Sequence, residues 1–174
     1  MRMTARAYNR LRRVAERARG RKLPKAHPAH GPNETERAFQ RSVLGGAGTF
    51  VGDDRRRHAL TVTRLGSRYT PDFEYIVGSR GNYLAVYVEV KGRYRSRKDA
   101  ELIERRSRLA WEIAAEKHPQ FAFAWAKRVA GGWACEAYAR RFGDEDATVG
   151  RLCRSRDDFD ALLGEALGEP VIRI

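Results

Sequence analysis

Val86-Tyr87-Val88-Glu89-Val90-Lys91-Gly92, preceded at a hairpin's distance by Tyr69-Thr70-Pro71-Asp72-Phe73, constrains the architecture more tightly than any other part of the sequence. Its residues alternate. Val86, Val88 and Val90 fall on one face of a strand, and Tyr87, Glu89 and Lys91 fall on the other. In a strand packed on one side, the valines are buried and the acid and the lysine point out together. Side chains two apart on one strand face are rooted about 6.6 Å apart, so both can reach one cation-bound water or one phosphate. Asp72 opens the preceding strand, Phe73 to Val77, which pairs with Tyr83 to Val90 around the Gly78-Ser79-Arg80-Gly81-Asn82 turn.

Upstream, Asn33 is placed to cap a helix carrying Phe39 and Val43, with Glu36 in the same register and Gly45-Gly46 as its stop. Thr49 to Val51 and Ala59 to Leu65 read as a strand pair around the charged turn Asp53 to Arg57, and Gly66-Ser67-Arg68 leads into Tyr69. Downstream, a long helix is expected from Ser96 to Lys117, with Leu102, Ile103, Leu109, Ala110, Ile113 and Ala114 as its apolar stripe and Pro119 beyond its end. Phe121 to Ala126 suits a buried strand, Trp133 to Ala139 an edge strand, and Arg156 to Leu167 a short terminal helix. The pattern predicts an α/β (α+β) fold with a mixed β-sheet flanked by helices. It divides into a basic arm and linker over 1–33, a core over 34–140 and a C-terminal extension over 141–174.

The 174 residues carry a formal charge of +13. Residues 1–30 hold ten basic residues, Arg12 and Arg13 among them, against Glu16 alone; this arm is +9 and the other 144 residues only +4. A basic arm on a near-neutral body points to a polyanion, because neutralising phosphates releases their counterions. Gly20, Pro24, Pro28, Gly31 and Pro32 break the arm from the core, and it reads equally as a disordered tail or as a helix that orders on DNA. No apolar run approaches the ~18 residues of a membrane span. Cys135 and Cys153 lack metal-ligand spacing and fit a reducing compartment. The expectation is a soluble, cytoplasmic protein with no membrane partner.

Hydrolysis of a phosphodiester needs a water aimed at phosphorus, positive charge on the developing oxyanion and help for the leaving oxygen. Two hard divalent cations held by carboxylates supply all three. Asp72 and Glu89 are the candidate central ligands, with the Val90 carbonyl a third and Glu36 completing a second position. Lys91 would orient the water and stabilise charge on the phosphate. Each residue has an ordinary reading too: Glu-x-Lys as a surface ion pair, Pro-Asp as turn chemistry, and Glu36 as a solvated helix residue with Glu34 as its rival.

Taken together, Glu36, Tyr69 to Phe73 and Val88 to Gly92 resemble the PD-(D/E)xK nucleases, and among them the phage endonuclease I type that resolves Holliday junctions. The likeness covers residues 34–127 and includes the helix after Lys91 and the His118-Pro119 element. It implies a restriction-endonuclease-like core and a Mg²⁺-dependent endodeoxyribonuclease with two ions per site, Mn²⁺ substituting. It further implies action in DNA recombination on branched DNA, as a homodimer, in a bacterial or phage-infected cell. By motif, the ligands fall on Glu36, Asp72 and Glu89 and the catalytic lysine on Lys91. The Asp72-to-Glu89 segment is longer than that type has, and the N-terminus and the last third match it less. A nuclease of restriction, transposition or repair type on duplex DNA, and a basic DNA-binding protein without catalysis, are the alternatives. Arg93, Arg95, Arg97 and Lys98 are the expected phosphate contacts beside the cut, whereas Arg105 and Arg108 fit ordinary helix pairs with neighbouring glutamates equally well.

Overall fold

The alternation around Val88 is obeyed on both faces of its strand. A computed structural model describes residues 31–53, 58–62, 68–79, 82–92, 97–140 and 146–173. In chain order these form α1 (Glu34–Ser42), β1 (Thr49–Phe50), β2 (Leu60–Thr61), β3 (Arg68–Tyr69), β4 (Phe73–Ser79) and β5 (Asn82–Lys91). There follow α2 (Arg97–Lys117), β6 (Ala122–Val129), β7 (Gly132–Arg140), β8 (Asp146–Cys153), α3 (Arg156–Leu167) and β9 (Ile172–Arg173). Seven strands make one mixed sheet in the order β1-β4-β5-β6-β7-β8, with β9 on β4, and β2 pairs with β3 apart from it. The β5–β6 pair is parallel and the other pairs are antiparallel. A parallel neighbour needs a crossover, and α2 supplies it.

Helices cover both faces. Val86, Val88 and Val90 pack with Phe39 of α1, Phe159, Leu162 and Leu163 of α3, and Trp133. On the opposite face Tyr87 joins Tyr69, Phe123, Trp125 and, from α2, Trp111, Ala114 and Ala115. The expectation of one packed and one solvated face is therefore corrected: Glu89 lies under cover and is only 6% exposed.

The α2 stripe holds in its second half and is corrected in its first. Ala110, Ile113 and Ala114 pack in the seam with Trp111 and Ala115, while Leu102, Ile103 and Leu109 stay exposed. Trp111 sets the rotation, since its ring packs edge-on against Trp125 with 6.1 Å between centroids. Thr49–Phe50 pairs with β4 rather than with Leu60–Thr61, which pairs with β3. The strand at Trp133 is internal, because β8 covers its outer side from Trp133↔Cys153 to Arg140↔Asp146.

The segment after residue 146 is woven into the same body. Tyr75 on β4 donates its hydroxyl hydrogen to Asp160 Oδ1 at 2.8 Å and accepts from Arg156 Nε at 3.0 Å, which fastens α3 to the sheet. Residues 146–173, read from sequence as an extension, thus contribute two strands and a helix to the sheet and core of 34–140. The basic arm lies outside the described residues. Among those described, no helix is long and apolar enough to cross a membrane.

Candidate active site

The chain leaves the sheet at the carboxyl end of β5, the edge where open sheets with parallel strands place ligands. Gly92 brings it against the first turn of α1, where an added Cβ would lie 3.1 Å from Thr35 Oγ1. That approach sets α1 beside the β4–β5 hairpin. The result is a cleft of about 430 Å³ lined by Asn33 to Glu36, Asp72, Val90, Lys91 and Gly92.

Asp72 is positioned entirely by backbone. Its N–H donates to Val88 O at 2.9 Å and its carbonyl accepts from Val51 N at 2.9 Å. Its Oδ2 accepts from Val90 N at 2.7 Å, so the side chain is clipped to the strand that carries Glu89 and Lys91. Burial, then the Glu89 carboxylate, push its pKa up to about 8, against the opposing Val90 hydrogen bond and Lys91.

Glu89 pairs with Lys91 through Oε1, and this ion pair is buried, with side-chain exposures of 8% and 14%. The ordinary reading as a solvated surface pair is thereby corrected. Burial raises the Glu89 pKa while Lys91 and Tyr69 pull it down. Among the described residues, its Oε2 and the buried Tyr69 hydroxyl beside it make no hydrogen bond of ordinary geometry. Trp125, opposite Glu89 in the parallel register, places its ring 5.6 Å from Lys91 Nζ. A cation held over an aromatic face while paired to one carboxylate is restricted in direction but keeps its charge.

Glu36 lines the same cleft but is already occupied. It is the third residue of a capping box: Asn33 Oδ1 accepts from Glu36 N at 3.0 Å, and the Glu36 carboxylate accepts from Asn33 N at 2.8 Å and from Asn33 Nδ2. Burial raises its pKa, the Asn33 bond and Lys91 lower it, and Glu89 and Asp53 raise it again. Among the described residues, no three histidine, cysteine, aspartate or glutamate side chains are gathered closely enough to hold an ion.

The donor set nevertheless suits a hard divalent cation at Asp72 and Glu89. Two crowded carboxylates there, one with an unpartnered oxygen, lack positive charge that Lys91 alone does not fill. Only the expected second position conflicts with the arrangement, because Glu36 would have to leave its cap to serve it.

Arg12, Arg13, Arg93 and Arg95 lie outside the described residues. Arg97 and Lys98 form the first residues of α2. Arg108 is spoken for by Glu112 and Glu136 and stacks on Trp111 and Trp125. Tyr69, Trp125 and Asn33 are site residues that the motif did not single out as such. Tyr69 stands three positions before Asp72, and that spacing was the available signal for it. No protein-family model, curated protein or solved structure matches the chain.

Proposed function

We propose that this protein is a divalent-cation-dependent endodeoxyribonuclease, acting on branched DNA. The observation that carries the reading is the Asp72–Glu89–Lys91 group at the carboxyl end of β5: Asp72, clipped by the Val90 N–H, and Lys91, paired to the buried Glu89, both line the α1 cleft. Gathering Asp72, Glu89 and Lys91 under cover costs several kcal/mol for each group that stays charged. An apolar trio would serve the sheet at least as well, so stability alone does not account for these residues.

Asp72 and Glu89 would hold the cation, with the Val90 carbonyl as a further oxygen. When bound, the cation supplies positive charge to the phosphoryl oxygens and acidifies water. Asp72 is pre-oriented by its bond from Val90, so little rotamer freedom remains to be lost. Lys91 carries the charge that meets the developing oxyanion and orients the attacking water, with the Trp125 ring and Glu89 fixing its direction. Tyr69 stands beside Glu89 as a donor for its unpartnered oxygen. The branched-DNA preference and the homodimer rest on the resemblance of the Tyr69–Phe73 and Val88–Gly92 strings alone.

The test is a cleavage assay on four-way junction, fork and linear duplex in parallel, with and without Mg²⁺. Lys91→Ala and Asp72→Asn are expected to lower Mg²⁺-dependent cutting by more than about 100-fold, with DNA binding held within a few fold. Binding without any nicking in Mg²⁺ or Mn²⁺ would sink the enzymatic reading. Equal rates on duplex and junction would leave the nuclease and remove the branch preference.

A further inference from the structure

A second cleft, of about 470 Å³, opens at the other end of α1. Arg41 reaches it from the last turn of that helix, Arg128 from the end of β6 and Arg154 from the residue after β8. No acid lines it. Four other arginines find carboxylates: Arg108 with Glu112 and Glu136, Arg151 with Glu165, Arg156 with Asp160, and Arg173 with Asp157 and Asp160. Among the described residues, none of the three cleft arginines has such a partner.

Two of the three are instead fixed by neutral groups. The Arg128 guanidinium sits 4.9 Å above the centroid of Trp133, whose indole N–H is anchored on Ser42 Oγ at 3.2 Å. Arg154 donates Nε to Gly131 O at 3.2 Å. Gly132 makes room for it, since an added Cβ would lie 3.1 Å from Arg154 Cγ and 2.9 Å from Cys153 O. Guanidinium forks oriented by a ring and a carbonyl keep full charge and free N–H donors, the condition for bidentate phosphate binding.

We infer that the Arg41–Arg128–Arg154 cleft binds the phosphodiester backbone of the same nucleic acid that enters the Asp72 cleft. This rests on the nuclease reading for its ligand and adds the course of the strand. Glu36 and Arg41 are five residues apart on α1, an axial rise of about 7.5 Å. That short separation along α1 lets one nucleic-acid backbone reach both clefts.

The experiment measures equilibrium binding of a fluorescent 30-base-pair duplex to the full chain in EDTA, from low to moderate salt, so that cutting plays no part. Changing Arg41, Arg128 and Arg154 together to Gln is expected to make the log K against log salt plot shallower by roughly 2.7, at about 0.9 for each of three phosphates no longer neutralised. Arg→Lys at the three positions should restore most of it. Arg106→Gln, Arg140→Gln and Arg151→Gln together remove the same net charge and should change the slope by less than half as much. A slope unchanged by the cleft variants, or an equal change in the control, overturns the inference. Should the triple variant fail to melt cooperatively, the three single variants carry the same test at about 0.9 each. A wild type that cuts DNA but shows no effect of the arginines loses this site and keeps the nuclease. One that never cuts, yet loses slope with them, does the reverse.

Discussion

Asp72 holds a proton at a pH where an ordinary aspartate has none, because burial and the Glu89 carboxylate both favour its neutral form. Its pKa is 3.8 ordinarily and about 8 in the fold. Between those values the folded state therefore binds more protons than the unfolded chain. Stability must fall as pH rises through that window, and be insensitive to this group below it. In EDTA, the melting temperature followed by circular dichroism is expected to drop from pH 5 to pH 8. Asp72→Asn should flatten that decline. Added Mg²⁺ should stabilise more at pH 8 than at pH 5, since at low pH the cation must displace the proton. A wild-type slope retained by Asp72→Asn would show that Asp72 is not the buried titrating group.

Among the elements, α1 has two candidate roles meeting on one side chain. Glu36 is both the reciprocal partner of the Asn33 cap and an acid on the cleft wall. The roles separate by substitution. Asn33→Ala removes the cap and is expected to cost about 1 kcal/mol in urea unfolding while sparing cleavage, because it frees Glu36. Glu36→Gln keeps most of the cap but should reduce Mg²⁺-dependent cleavage by tenfold or more. Full activity in Glu36→Gln would assign Glu36 to the helix terminus alone. The α2 helix shows where reading by period falls short. Leu102, Ile103 and Leu109 keep helical spacing as faithfully as the true seam, but the seam follows Trp111, whose partner Trp125 lies on a strand reached only after the crossover. Periodicity finds the helix; the large ring decides which side goes down.

Across the whole molecule, what was legible was local. The β4–β5 hairpin, the span of α3 and the approach of Asp72 to the Glu89–Lys91 strand all follow from alternation, caps and turns within a few residues. Three things were not legible. The cover over Glu89 comes from β6 and α2, so a strand that reads half-solvated is buried on both faces. The two-residue strands are too short to carry a period: β1 and β2 read as strands but are given to each other instead of to β4 and β3, and β3 and β9 do not read as strands at all. The strand β8 has exposed Leu152 beside buried Cys153, and its place depends on β7 and α3.

The pairing of β9 with β4, Val77↔Arg173 and Gly78↔Ile172, has a consequence in time. The hairpins β4–β5, β6–β7 and β7–β8 close short loops, whereas this pair joins positions nearly a hundred residues apart, and Arg173 Nε then donates to Asp160 Oδ2 at 2.7 Å. Loop closure of that span is entropically costly, so the clasp belongs after the rate-limiting step. Arg173→Ala is expected to accelerate unfolding in stopped-flow denaturant jumps and leave the refolding limb where it was. A slowed refolding limb would place the C-terminus in the nucleus instead. As a late latch, β9 would set how long the molecule stays folded and have little part in how it gets there.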